Sequence, residues 1–397
     1  MERHVCALNG NCSNPPYIHF CDITIREGED VPGVAFSVEE KLRLAKAIDE
    51  LGVYLIQVCF YDFSDELTRL CKAFQKTELK AKKEICFTGT DDSWKQYVDA
   101  IHSFDPDIIH ATMPFTRYLS DNAAEDAEQA LMQRIADIVE RVHRHGKLAS
   151  ISVTDGTRCD ERVMLRMVEA AGKAGAVRIK IPDSVGVASP DGYARLLEKA
   201  VAVAKQYSMD VCCHTHNDFG LAGANALAAI QAGAREVECT INGLGARAGN
   251  ATLDEVVAAL EVLYGVNTGI DLKKLRPVSQ LVEEISGLRL SLTKPIVGRY
   301  PFTYETPGHM VAQLKNPFAF IGFKPEEFGL KAEYIFGKLT RESCLDAVAE
   351  KCGRPIKKAL YPEILSELFR FAEGHKGEII FEDDFWKLVE SIENRTH

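Results

Sequence analysis

Eight short apolar runs, each followed by a stretch of helical periodicity, fill the first two thirds of this 397-residue chain. They are HFCDITI, LIQVCF, EICFTG, DIIHATM, LASISVTD, VRIKIPD, DVCCHTHN and EVECTINGLG. Several are nearly continuously apolar, as strands covered on both faces should be. The intervening stretches carry helix signals. In SVEEKLRLAKAIDELG, Ser37 can cap, Glu40 completes a capping box, and Gly52 ends the helix. Strict alternation on this scale predicts an α/β fold, a (β/α)8 TIM barrel, over a doubly wound open sheet. The barrel is expected over residues 19–275, after an N-terminal extension over 1–18. The rhythm then changes, and residues 276–397 read as a linker and a smaller, mainly α-helical appendage.

Composition narrows the partners. Acidic residues number 58 against 47 lysines and arginines, a net charge of −11. Such a surface repels nucleic acid and anionic membranes. No apolar run approaches the roughly 20 residues of a membrane span. The opening MERHVCALNGNC lacks an apolar signal core. Twelve scattered cysteines form no CxxC pair, so a reducing, cytoplasmic setting is expected.

Barrel chemistry collects at the C-terminal ends of the strands. His214 and His216 leave the seventh strand two residues apart, so both imidazoles face the same way. Strands seven and eight neighbour strand one in a closed barrel. Glu27, after strand one, and Asn250, after strand eight, can therefore join them. Two imidazoles, a carboxylate and an amide oxygen suit a divalent metal such as Zn, Mn, Co or Mg. The plainer alternative is a hydrogen-bonded histidine pair in a wet barrel mouth. Arg26 adjoins this set, either to offset charge developing on a substrate oxygen or to form an ion pair with Asp22 or Asp183. His110, in the fourth strand, faces either the substrate or the barrel wall.

Four blocks carry a resemblance: DITIREGEDVPG, IPDSVGVASP, HTHNDFGLAGANALAAIQAGA and NGLGARAGN. Together they are similar to the metal-dependent Claisen-condensing and lyase barrels, which include isopropylmalate, homocitrate and citramalate synthases and hydroxymethylglutaryl-CoA lyase. Later segments, KPIVGRYPF, PGHM and LKNP, resemble the synthase branch. The resemblance implies Glu27, His214, His216 and Asn250 as metal ligands and Arg26 as the residue that binds and polarises a 2-oxo acid. It implies Ser184 as a contact to the substrate carboxylate. It also implies His309 as a base reaching the partner subunit's barrel, hence a homodimer.

Departures from that pattern surround the ligands. Gln57 stands where the second strand usually carries glutamate. Thr154 stands where the fifth carries glutamate, still within reach of substrate. Ala246 replaces an acid in the loop before Asn250. Ser150 occupies the place where homocitrate synthases often put an arginine for the distal carboxylate, which argues against 2-oxoglutarate. The implied activity is an acyltransferase condensing an acyl-CoA, acetyl-CoA above all, with a 2-oxo acid and hydrolysing the thioester. A metal-dependent aldolase or lyase is the alternative, and a non-catalytic metabolite-binding barrel a third.

Overall fold

In the computed structural model, residues 17–114, 125–316 and 319–395 are described. Apart from Tyr17 and Ile18, the expected N-terminal extension lies outside them. The chain divides into two compact units, one ending at Leu290 and one beginning at Ser291. The helix Leu275–Ser286 packs on the barrel helix Val38–Asp49. It therefore belongs to the first unit, which runs past the expected boundary at 275.

The first unit is a closed barrel of eight parallel strands in sequential order. The strands are β1 (His19–Asp22), β2 (Leu55–Phe60), β3 (Lys82–Thr88), β4 (Ile108–Pro114), β5 (Leu148–Thr154), β6 (Arg178–Asp183), β7 (Asp210–Thr215) and β8 (Glu236–Cys239). Among the described residues, at least one long helix follows each strand, beginning with α1 (Val38–Asp49). Ser37 and Glu40 close the expected capping box at its start, and Gly52, at φ +93°, turns the chain back toward β2. The TIM barrel read from the alternation is the observed fold.

Two strand ends fall earlier than the apolar runs suggest. The first run was expected to stay extended to Ile25, but β1 stops at Asp22. The Asp22 carboxylate accepts hydrogen bonds from the Thr24 amide (2.9 Å) and hydroxyl (2.8 Å). This local turn converts Thr24–Glu27 into a single helical turn. The last run was read as continuing to Gly245, yet β8 ends at Cys239 and a short 3-10 turn follows. Thr24 ties the two exits together, because its Oγ accepts the Ile241 amide at 2.8 Å.

The barrel interior is charged, in contrast to the branched apolar layers common in this fold. Arg178 is fully buried and donates to Ser150 Oγ (2.9 Å) and Glu236 (2.8 Å), and pairs with Glu84. Cys86, His110, Ser150 and Arg178 align in register across β3 to β6. One step toward the C-terminal mouth, Thr88, Thr112, Ser152 and Lys180 repeat the alignment.

The second unit holds a three-stranded sheet, ordered β11–β10–β9: β9 is Thr303–Tyr304, β10 Glu333–Phe336 and β11 Ile380–Phe381. Four α-helices accompany it: Pro307–Lys315, Glu342–Cys352, Tyr361–Gly374 and Glu382–Arg395. Phe336 stacks on Phe385 at 3.8 Å within a core that includes Leu345, Ile364 and Val389.

Candidate active site

Glu27, His214 and His216 converge at the C-terminal mouth, with one potential ligand atom from each lying within 4.8 Å of the others. Their placement follows from the strand ends. The helical turn after β1 delivers Glu27 inward. His214 stands on β7, and His216 lies just beyond it, where it bridges to Asn250. The two imidazole Nε2 atoms are 3.0 Å apart, and His214 Nε2 lies 4.0 Å from Glu27 Oε1.

Asn250 completes the group. Its amide approaches Glu27 at 3.5 Å and the Leu244 carbonyl at 3.1 Å. Glycines make this loop possible. A Cβ on Gly245 would lie 2.1 Å from the Asn250 amide nitrogen, and one on Gly249 1.9 Å from the Gly243 carbonyl oxygen. Gly249 also holds φ +87°, which favours glycine.

The donor set fits a divalent cation. Asn250 Oδ1 and His216 Nδ1 are buried without a hydrogen-bond partner, an arrangement that ordinarily costs stability. The protonation states also suit a cation. Burial works against the Glu27 carboxylate, but Arg26 and the two histidines hold it down at about 2. Burial, with His214 alongside, lowers His216 to about 4, so its imidazole is neutral at pH 7.

Sequence reasoning missed Glu238. Its carboxylate lies 2.8 Å from His214 Nδ1 and pairs with Lys180. Despite the burial penalty, Lys180 and His214 hold it well below the usual carboxylate range. The signal was present in EVEC, since period two puts Glu236 and Glu238 on one face. Arg178 and Lys180 share a face of β6 by the same rule.

Arg26 pairs with Glu27, while its Nε donates to Gln57 Oε1. The sequence alternatives Asp22 and Asp183 are not its partners. Asp22 is held by Thr24, and Asp183 by Thr157 and the amides of Val187 and Ala188. Gln57 in turn donates to Glu84 at 2.6 Å, linking Arg26 to the buried Arg178 network.

A cavity of about 330 Å³ opens against Arg26, Glu27, His214 and His216. Ser184 and Thr154 also line it. Ser184 Oγ accepts the Asp155 amide at 2.9 Å, and Thr154 Oγ1 is buried without a partner. His110 does not line the cavity. It sits one layer deeper, 2.8 Å from Ser150 Oγ, with burial pushing its imidazole well below its usual pKa. Of the two readings offered for His110, the wall residue matches this position. His309 belongs to the second unit, where it is exposed and packs on the Phe320 ring at 4.1 Å.

Fold and site together define an enzyme of the β/α-barrel class with a candidate metal site and an adjoining arginine at its C-terminal mouth. Residues 17–282 match the family model described as HMGL-like. The chain belongs to the HMGL-like family. It is 35% identical to the 2-isopropylmalate synthase of Sulfolobus acidocaldarius, over 91% of this chain and 92% of that protein. It is 33% identical to the homocitrate synthase AksA of Methanocaldococcus jannaschii, over 94% of this chain and 91% of that protein. Among solved structures, the hydroxymethylglutaryl-CoA lyase of Pseudomonas aeruginosa superposes with a TM-score of 0.59 at 17% identity. That match covers 69% of this chain and 95% of that one, and shows the fold alone. Among the described residues, no helix is long and apolar enough to cross a membrane.

Proposed function

We propose that this enzyme condenses acetyl-CoA with a 2-oxo acid and hydrolyses the thioester, as an acyltransferase of the synthase branch. The observation that carries the proposal is the convergence of Glu27, His214 and His216 beside Arg26 in one cavity. The extended similarity to synthases supports it. A divalent cation held by Glu27, His214, His216 and Asn250 would supply Lewis acidity toward the keto oxygen and carboxylate of the oxo acid.

The chain's own groups do the rest. Arg26 is fixed by Gln57 and aims its guanidinium where negative charge develops on the former keto oxygen. Ser184 offers a hydroxyl to the substrate carboxylate from the cavity wall. Glu238 keeps the His214 ring oriented. His309, reaching the barrel of the partner subunit in the proposed homodimer, is the candidate base that removes a proton from the acetyl methyl group. The new bond joins that methyl carbon to the keto carbon; water then cleaves the thioester, and the free thiol leaves.

The homodimer and the cytoplasmic setting are part of the same proposal. Sedimentation of the purified chain at twice its monomer mass tests the first. The central test is thiol release from acetyl-CoA across a panel of 2-oxo acids and divalent ions. Release that depends on both an oxo acid and a metal is the expected result. No release with any oxo acid, together with cleavage of a hydroxyacyl thioester, would assign a lyase instead.

A further inference from the structure

We propose that Thr88, Thr112, Ser152 and Lys180 form a subsite for a second anionic group on the 2-oxo acid. This deepens the condensation reading and rests on it for the identity of the reaction. The substrate would then carry an oxyanion on its side chain, a carboxylate or a phosphonate, in place of a branched apolar group.

The layer is built by strand register. Thr88 pairs with Thr112, Thr112 with Ser152, and Ser152 with Lys180, across β3, β4, β5 and β6. All four line the cavity that also presents Arg26, Glu27, His214 and His216. Three hydroxyls and one ammonium therefore form a continuous polar wall in that cavity. Thr154 lies one step further toward the mouth, its hydroxyl buried and unpartnered. Among the described residues, the apolar side chains in the lining are Phe60, Pro114 and Pro182.

Thr112 Oγ1 already donates to the Phe87 carbonyl at 3.2 Å and Lys180 to Glu238, but an isopropyl or similar side chain placed here would offer no acceptor to the Thr88 and Ser152 hydroxyls or to the remaining donors of Lys180. A site built to hydrogen-bond a substrate discriminates strongly against an analogue lacking the matching group, by roughly 10⁴-fold in strong cases. An oxyanion instead accepts from several of these donors at once.

Lys180 has capacity to spare. Its partner among the described residues is Glu238, which is shared with His214. An ammonium has three donors, so two remain for a ligand. Arg178, one layer deeper, is not free in this way, because Glu84, Glu236 and Ser150 occupy its guanidinium. Ser150 argued from sequence against a substrate with a distal carboxylate. The structure places a different cation, Lys180, on the same wall, and so reopens that class of substrate.

The test compares 2-oxo acids of similar size on the purified full chain loaded with Mn²⁺. Calorimetric binding without acyl-CoA and thiol release with it are both measured. The probes are oxaloacetate, 2-oxoglutarate and 3-phosphonopyruvate against 2-oxoisovalerate. Tighter binding of at least one acidic probe, by roughly 100-fold, is expected. The best acidic probe then tells carboxylate from phosphonate. Lys180→Met should cut the acidic-to-apolar preference at least 30-fold, and Lys180→Arg should keep most of it. Because Lys180→Met also strips a partner from Glu238, Thr88→Val/Ser152→Ala is made in parallel, with every charge intact. It should shift the same preference at least 10-fold. Equal or tighter binding of 2-oxoisovalerate, or a preference unmoved in folded variants of both kinds, overturns the subsite. Absence of thiol release with every oxo acid would sink the condensation reading, while the binding preference still judges the subsite.

Discussion

Glu238 Oε2 lies 2.8 Å from Nδ1 of His214, on the side of the ring away from Glu27 and His216. A carboxylate there keeps the proton on Nδ1 and leaves the Nε2 lone pair facing the other donors. Glu238→Gln should therefore weaken Mn²⁺ or Zn²⁺ binding by roughly 10–100-fold. Chelator competition on the purified protein measures this. Unchanged affinity in a folded variant would remove Glu238 from the metal-holding group.

Direct loss of a ligand should be more severe. Glu27→Ala or His214→Ala is expected to leave the protein folded but without retained metal, read as ion per chain by elemental analysis. Full stoichiometry in both variants would dissolve the site.

Arg26 is locked by two partners, Glu27 and Gln57. A lysine would keep the charge but could not hold both contacts in one plane. Arg26→Lys should lower kcat for thiol release by roughly 10²-fold, with a smaller effect on oxo acid binding. A variant with normal kcat would limit Arg26 to the ion pair.

The architecture was legible because it depends on a repeated pattern. Eight apolar runs and their helices specify a closed parallel barrel whatever fills its middle, and the HxH spacing states its own geometry. The exits of β1 and β8 were less legible. Asp22 and Thr24 make a turn through side-chain bonds, so an apolar run overstates the strand. The interior charges were hardest to place, because periodicity gives facing and not pairing. RIK and EVEC show that Arg178, Lys180, Glu236 and Glu238 point inward, but only the register across the closed barrel shows who neutralises whom. His110 illustrates the same limit. Its strand was right, while its depth relative to the cavity is fixed by the stagger between strands.

Arg178 tests how much that interior network contributes to folding. It is fully buried, and its guanidinium neutralises Glu84 and Glu236 together. Arg178→Met would leave two carboxylates buried without their counter-ion, a loss of about 3–5 kcal/mol. Thermal unfolding should fall by roughly 10 °C. Adding Glu84→Gln to the variant should recover part of the loss, since it removes one stranded charge. A Tm within a degree or two of the parent would mean that water or rearrangement satisfies the pair.

Asp22 makes stability depend on pH in the opposite sense to an ion-paired acid. Burial pushes its carboxyl up to about 7, even though Thr24 donates to both oxygens and favours the charged form. The unfolded chain loses this proton near its ordinary value of 3.8, whereas the folded chain keeps it until about 7. Between those values the folded state binds more protons, so this residue's contribution falls as pH rises and stays low above 7. A shift of about three pKa units corresponds to at most ~4 kcal/mol. Asp22→Asn removes the titration while keeping one carbonyl acceptor for the Thr24 amide. The variant should be less stable than the parent at pH 5, and should gain on it by several degrees in Tm by pH 8. Parallel pH profiles for the two proteins would show that Asp22 is already ionised in the fold, held by Thr24 against the cost of burial.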